Sequence, residues 1–271
     1  MEAANPQDGF DVPPDRALLV VDMMRYSQIP EAKMAVVRSD LDDILSTEFT
    51  ESRLPDPRSL GGGYKDTGDG AIFVLPAEHL ARLVDPLLTN LNAALQRYDR
   101  QRLASSPAIR LRAGIHVGPL TPGHRGDAIN EACRLADSTV VRQAMAAAVD
   151  NGSFLAAALS ETVYRRTVHA GRTPSLHPRQ LLTTTARVEG KEGFEEVCRL
   201  LVPGLAPVVL EPYLTETDDQ PVPQPQSPSQ ENAAKRQGEG RQADVRQKGK
   251  ASGKARIVQV GGNYITGPEQ S

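Results

Sequence analysis

Short apolar runs alternate with amphipathic segments through the first 210 residues, and this alternation constrains the fold more than any other feature. The apolar runs have the length and composition of strands and lie at 17–24, 71–75, 108–120 and 154–159. Apolar residues at three- and four-residue steps predict helices at 31–46, 77–103, 129–148 and 161–169. Pro86 is expected to kink the second helix. The pattern predicts one α+β or α/β domain of about 200 residues.

Turn-forming residues separate several of these segments. Residues 51–63 contain two prolines and three consecutive glycines and are expected to form a loop. Residues 187–202 are expected to form two strands around the turn "EGKEG". The Asp-Gly pair at 69–70 is expected to close a hairpin, because this pair favours tight turns.

The composition changes at Glu211. From there to Ala255 the chain is rich in Pro, Gln, Gly, Ser and charged residues, so it cannot bury a core and is expected to be a disordered linker. Residues 256–267, "RIVQVGGNYITG", return to β-branched residues with Gln and Asn and have the character of a segment that stacks in cross-β register. The alternative is a last strand of the globular domain, but a tether of about 45 residues far exceeds what a hairpin needs.

The bulk properties exclude several classes of protein. The net charge is −3, which gives no basic footprint for nucleic acid. Cys133 and Cys198 show no metal-ligand or disulfide spacing, as expected in a reducing cytoplasm. Residues 1–14 are expected to be disordered and lack the apolar segment of a signal peptide, and no apolar run approaches the ~18 residues of a membrane span. The sequence therefore predicts a cytoplasmic protein without membrane insertion.

Two carboxylates stand at strand ends: Asp22 closes the first strand, and Asp69 lies in the turn before the next. If these strands are neighbours, the two side chains meet at one edge of the sheet, where they would suit Mg²⁺ together with waters and substrate phosphates. Two such ions can clamp the attacking and leaving oxygens of a phosphoryl displacement. The alternatives are that Asp22 caps the following helix and that Asp69 only forms the turn.

Four segments occur in order: "LLVVDMMRYS", "YKDTGDGAIFVL", "LRAGIHVGPL" and "GDAINEACRLADS". Together they resemble the catalytic domain of class III adenylate/guanylate cyclases over residues 15–203. The matching residues include the two aspartates, the "R-x-G-I-H-x-G" strand from Arg112 to Gly118, and the asparagine and arginine of the fourth segment. The resemblance implies a ferredoxin-like βαββαβ nucleotidyl cyclase domain at 15–210. The implied enzyme is a phosphorus–oxygen lyase that makes a 3′,5′-cyclic nucleotide and pyrophosphate from a nucleoside triphosphate.

The resemblance also implies a role for each matching residue. Asp22 and Asp69 would hold two Mg²⁺ or Mn²⁺ ions, and Lys65 would read the purine edge. Further along the chain, Asn130 would orient the ribose, Arg134 would stabilise charge on the α-phosphate, and Lys191 would contact the pyrophosphate. In this family the metal and base residues come from one subunit and the Asn/Arg pair from the other, which implies a head-to-tail homodimer with two shared sites.

Three positions qualify this match. Arg25 stands where the family usually has glycine in the phosphate-wrapping turn, and it either adds a phosphate contact or blocks the pocket. Gly123 stands where purine-selective members carry Asp or Cys, which leaves the base open. His116 is expected to be structural, since the family does not use it chemically. The alternative function is a catalytically inactive cyclase-like module that binds nucleotide or dimerises.

The last segment, "IVQVGGNYI", is similar to the RIP homotypic interaction motif and its bacterial amyloid-signalling relatives. The matching residues are Val258, Gln259, Val260, Gly261 and Asn263. In those systems a partner protein with a matching motif templates the assembly of a tethered effector domain. The resemblance implies that amyloid-type assembly controls or recruits the cyclase in bacterial signalling or defence, because clustering raises the local concentration of the tethered domains.

Overall fold

Within the described residues, a mixed sheet of seven strands has the order β2-β3-β1-β4-β5-β7-β6. The strands are β1 (Asp15–Met23), β2 (Tyr64–Asp66), β3 (Gly70–Pro76), β4 (Leu111–Pro119), β5 (Leu155–Ser160), β6 (Leu182–Arg187) and β7 (Glu195–Leu201). Strands β4 and β5 run parallel, and the other neighbouring strands run antiparallel. The sheet and its helices confirm the α+β class.

This computed structural model describes residues 11–121, 126–191 and 193–214. They belong to the first of two units into which the chain divides, residues 1–217. Gly123, nearly all of the predicted linker and the predicted amyloid-type motif at 256–267 lie outside the described residues. None of the helices in the described part combines the length and apolar character that a membrane crossing requires.

The helices are α1 (Glu31–Glu51), α2 (Leu80–Val84), α3 (Leu87–Gln101), α4 (Asp127–Asp137), α5 (Thr139–Asp150), α6 (Glu161–Arg166) and α7 (Pro207–Leu210). Two segments predicted as single helices are each divided. The 77–103 segment breaks at Asp85, whose extended backbone (φ −141°, ψ 113°) is the conformation that a following proline favours. The 129–148 segment breaks at Ser138, also extended, whose hydroxyl donates to the Leu135 carbonyl at 2.8 Å.

The first half of the domain has the βαββαβ order that the resemblance to class III cyclases implies. Strand β1, helix α1, the β2–β3 hairpin, helices α2 and α3 and strand β4 follow in sequence, and the four strands lie in the order β2-β3-β1-β4. This is the split βαβ arrangement of ferredoxin-like domains. The late hairpin is also present, but β6 ends at Arg187, where the sequence analysis placed its beginning. The segment Leu182–Arg187 is rich in threonine, so its β-branched residues carry the strand without an apolar run.

Each face of the sheet is covered by helices. On one face, alternate residues of β1, β3 and β4, such as Leu19, pack with α1, α2 and α3. On the other face, Leu18 and Ile72 pack with α4 through Ala132 and its neighbours at helical spacing. Helix α4 lies so close to the sheet that a Cβ on Gly114 would be 2.3 Å from the Ala132 carbonyl oxygen. Gly114 in β4 therefore sets how closely α4 docks.

We expect Gly114→Ala to lower the free energy of unfolding by about 3 kcal/mol, the upper end of the range for overpacking a core. The added methyl would also lie 2.7 Å from the Ala136 nitrogen, so α4 must move off β4. Urea denaturation measures the change. Gly61→Ala is the control, since a Cβ there meets nothing within 4 Å. Equal stability of the two variants would contradict the close docking.

Candidate active site

Asp22 and Asp69 meet at one edge of the sheet. Asp22, near the end of β1, is paired with Gly70 of β3, and the Met23 amide donates to the Asp69 carbonyl at 2.9 Å. Burial raises the pKa of the Asp22 carboxyl; the Arg112 guanidinium opposes this, and the charge of Asp69 with a hydrogen bond between the two carboxyls raises it further. The two carboxyl groups are therefore direct neighbours.

The side chains of Asp22 and Asp69 do not serve as a helix cap and a turn-forming group, the two alternative roles for these residues. Neither the 3₁₀ turn that follows β1 nor helix α1 has a side-chain cap, so Asp22 caps no helix. In the hairpin turn it is Asp66 whose carboxylate accepts the Gly68 amide at 2.7 Å. That hydrogen bond is the main reason the pKa of Asp66 is lowered. The carboxylate that stabilises the turn is therefore that of Asp66, and the carboxyl group of Asp69 lies beside Asp22 instead.

Arg112 is a member of this site to which the sequence analysis assigned no role. It lies opposite Asp22 in the β1–β4 register, and its Nε donates to Asp22 Oδ2 at 2.8 Å. Its Nη2 donates to the same oxygen. The signal in the sequence was its place two residues before Gly114 in the "R-x-G-I-H-x-G" strand; the role depends on a strand pairing that a motif does not specify.

Three arginines line a cavity of about 270 Å³ beside this edge. Arg25, Arg112 and Arg142 form its charged wall, and Met24 and Met145 complete it. Arg25 is exposed and holds a left-handed backbone (φ 60°, ψ 27°) directly before the 3₁₀ turn, while Arg142 also pairs with Asp137. Guanidinium groups gathered in this way favour phosphate, since their donors match its oxygens.

A second group of predicted site residues surrounds Cys133 on α4. Burial raises the pKa of the Cys133 thiol, and the charges of Lys191 and Lys65 lower it, so both lysines lie near this helix. Asn130 is exposed one turn before Cys133, and the Arg134 guanidinium lies over the Phe194 ring at 5.4 Å. Lys65, Asn130, Arg134 and Lys191 are thus all associated with α4.

The two groups are separate in their bonding. Within residues 11–121, 126–191 and 193–214, no hydrogen bond or ion pair joins Asp22 or Asp69 to Asn130 or Arg134. His116 belongs to neither group: it is buried, and its Nε2 lies 2.8 Å from Glu131 Oε2. Burial lowers the pKa of His116, although the Glu131 charge opposes the shift. This environment is that of a structural histidine.

The carboxylate pair fits a divalent cation held jointly by protein and substrate. The charge of Asp69 raises the pKa of the Asp22 carboxyl, and a cation between the two side chains would offset this repulsion. In the part of the chain that the structure describes, no cluster of three or more His, Cys, Asp or Glu side chains suits a metal ion. Mg²⁺ commonly uses one or two carboxylates and takes its other ligands from water and phosphate, so two carboxylates match the usual protein share of such a site.

The chain matches no protein-family model and no curated protein sequence. Solved structures do match it. The guanylate cyclase domain of RhGC from Catenaria anguillulae in complex with GTP has 14% identity and a TM-score of 0.45, covering 71% of this chain and 98% of that one. The adenylate/guanylate cyclase/hydrolase from Silicibacter pomeroyi has 19% identity and a TM-score of 0.45, covering 70% and 98%.

A bacterial light-regulated adenylyl cyclase has 13% identity and a TM-score of 0.48, with 74% of this chain and 56% of that one covered. All three structures are of nucleotidyl cyclases.

We expect Asp69→Ala to lower the pKa of Asp22, because the substitution removes both the charge and the hydrogen bond that raise it. Titration of the Asp22 carboxyl carbon by NMR measures the shift. Asp43→Ala removes an exposed carboxylate of α1 and is the control, which should leave the Asp22 titration unchanged. An unchanged pKa in Asp69→Ala would mean that the two carboxyl groups do not meet.

Proposed function

We propose that this domain is a class III nucleotidyl cyclase that converts a nucleoside triphosphate into a 3′,5′-cyclic nucleotide and pyrophosphate. The observation that carries the proposal is the meeting of Asp22 and Asp69 beside a cavity lined by three arginines. Carboxylates for cations and guanidinium groups for phosphates are the two components that a nucleoside triphosphate site requires. The order of the four sequence segments supports the same activity.

In this proposal the two aspartates hold the Mg²⁺ or Mn²⁺ ions, which supply charge neutralisation at the triphosphate when bound. Arg25 and Arg112 bind phosphate oxygens from the cavity wall. The ribose 3′-oxygen forms a bond to the α-phosphorus while the bond to the bridging oxygen breaks, so pyrophosphate leaves and the hydroxyl proton is released. Lys65 reads the base, and Lys191 contacts the pyrophosphate. From the other subunit, Asn130 orients the ribose and Arg134 stabilises the α-phosphate.

The separation of the two residue groups supports a shared site. Within the described residues of one chain, Arg134 lies over the Phe194 ring and makes no hydrogen bond or ion pair with the carboxylate pair. A head-to-tail homodimer would place Asn130 and Arg134 of one subunit opposite the carboxylate pair and Lys65 of the other. The active unit that we propose is therefore a homodimer with two sites.

One observation favours a second candidate function. Arg112 donates two hydrogen bonds to a single oxygen of Asp22, and this oxygen is then occupied by a protein donor. If the pair persisted with nucleotide bound, Asp22 would offer fewer lone pairs to a cation. The domain would then be an inactive cyclase-like module that binds nucleotide or dimerises.

We expect the purified full chain to form a cyclic nucleotide and pyrophosphate when incubated with Mn²⁺ and at least one of the four nucleoside triphosphates. Asp69→Ala should abolish the product, because the cation pair loses a ligand. Chromatography with mass detection of the product is the measurement. Metal-dependent nucleotide binding without any product would instead establish the inactive module.

A mixing experiment tests the shared site. Asp69→Ala and Arg134→Ala should each be inactive alone, since each removes one half of both sites. An equal mixture should recover about a quarter of the wild-type rate, because half of randomly assembled dimers are heterodimers with one intact site of two. A mixture that stays as inactive as the two separate variants would contradict sharing between subunits.

We also propose that residues 256–267 recruit the domain into an amyloid-type assembly, in which a partner protein with a matching motif is the template. These residues lie outside the described part of the chain, and the proposal rests on their sequence. Because the cyclase is proposed to act as a dimer, tethering many copies to one fibre raises the effective concentration that governs its activity.

A synthetic peptide of residues 256–267 should form fibres that bind thioflavin, and Gln259→Asp should prevent them, because stacked like charges replace a ladder of amide hydrogen bonds. Thioflavin fluorescence and electron microscopy are the measurements. A wild-type peptide that stays monomeric at high concentration would contradict the assembly.

A further inference from the structure

An arginine of α1 contacts both strands of the hairpin that carries Asp69. Arg38 is 9% exposed, its Nη1 donates to Asp42 Oδ1 at 2.9 Å, and its Nη2 donates to the Tyr64 hydroxyl at 2.9 Å and the Gly70 carbonyl at 3.1 Å. The same Nη2 lies 3.3 Å from Asp66 Oδ1. These five residues are called the Arg38 clamp below. One guanidinium thus joins α1 to β2, to the turn and to β3.

The clamp holds the backbone on both sides of Asp69. Gly70 follows Asp69, and its carbonyl accepts from Arg38 and from the Thr67 amide at 3.2 Å. Gly70 also lies tightly against β1, since a Cβ there would be 1.9 Å from the Val21 carbonyl oxygen. The carbonyl of Asp69 itself accepts the Met23 amide. Gly70 is thus held between β1 on one side and the Arg38 guanidinium on the other.

The environment of Arg38 is costly for a residue that would serve stability alone. Its Nε is buried and has no hydrogen-bond partner within the described residues. A buried arginine with an unpaired donor pays a desolvation penalty that an apolar side chain of similar size would avoid. A second arginine supports the arrangement from outside: Arg58 donates to Asp42 Oδ1 at 2.7 Å and lies over the Tyr64 ring at 4.7 Å.

We propose that Arg38 is a positioning residue that fixes Asp69 opposite Asp22 and so sets the spacing of the two carboxylates. Residues 65–68, which include the end of β2 and the start of the turn, are exposed. A glycine-containing turn of this kind does not hold a carboxylate in place by itself. Cation binding needs ligands held to within about 0.5 Å, which requires support from behind the ligand. The inference rests on the proposed function only in taking the carboxylate pair as a cation site.

The test uses the full chain and Mn²⁺ alone as the probe, with binding measured by calorimetry. Arg38→Met should weaken Mn²⁺ binding about ten- to hundredfold, as expected for loss of a residue that orients a metal ligand. Hydrogen exchange of the amides at 66–70 should quicken in the same variant, because Gly70 and the turn lose their anchor. Arg38→Lys should show both effects, since a single ammonium cannot span the four partners.

Arg97→Met is the matched control. Arg97 Nη2 donates to Glu48 Oε1 at 2.9 Å, and Glu48 is 2% exposed, so its loss also removes an α1 ion pair and also lowers stability. It should leave Mn²⁺ affinity within twofold of wild type and exchange at 66–70 unchanged. If Arg38→Met and Arg97→Met had equal effects on Mn²⁺ affinity and exchange, the positioning role would be overturned, because the loss would then follow from lower stability alone.

Tyr64→Phe keeps the ring and removes one hydrogen-bond acceptor of the Arg38 clamp. If Arg38→Met does not fold, the same two measurements are made on Tyr64→Phe. It should weaken Mn²⁺ binding severalfold, and wild-type affinity with wild-type exchange at 66–70 would overturn the inference. Wild-type protein that binds Mn²⁺ but makes no cyclic nucleotide overturns the proposed cyclase activity. The positioning role of Arg38 is then still decided by Mn²⁺ binding and by hydrogen exchange at 66–70. Wild-type protein without affinity for Mn²⁺ alone overturns this inference, whereas the proposed cyclase activity is judged separately by formation of a cyclic nucleotide.

Discussion

The site depends on the antiparallel pairing of β1 with β3. This register places Asp22 opposite Gly70, and the absence of a side chain at Gly70 lets the two backbones approach closely enough for the Met23 amide to reach the Asp69 carbonyl. Two carboxyl groups are then forced together at one sheet edge. Their repulsion and burial disfavour ionisation of Asp22, and Arg112 offsets part of this cost from the neighbouring strand. Such a pair is poorly suited to structure alone and well suited to a cation.

The second determinant is the close docking of α4 on the sheet. Small residues on α4 meet Gly114, and this contact fixes the helix that carries Asn130 and Arg134. The same helix lies beside Lys65 and Lys191, whose charges both act on Cys133. Within the described residues, Asn130 and Arg134 make no hydrogen bond or ion pair with Asp22 or Asp69, which is the arrangement expected if two subunits complete each site.

Local chemistry made much of the fold predictable. Apolar runs identified β1, β3, β4 and β5, and the Asp-Gly pair identified the hairpin. Two helices were predicted as continuous because the periodic apolar pattern runs through both breaks. The backbone preference of the residue before Pro86 divides one of them, and Ser138, which is extended, divides the other. Strand β6 was placed too late because threonines form a strand without an apolar signal.

By itself, the pattern of the sequence determined one α+β or α/β domain and the position of Asp69 in a turn between strands, because these follow from hydrophobic period and turn chemistry. The βαββαβ order of the first half was implied by the resemblance to class III cyclases. Only the tertiary structure decided which charged groups meet. Arg112 and Asp22 are 90 residues apart, and Arg38 and Gly70 are 32 apart. Such partnerships depend on strand register and on how a helix packs against a hairpin, and neither is encoded in the local pattern of either partner.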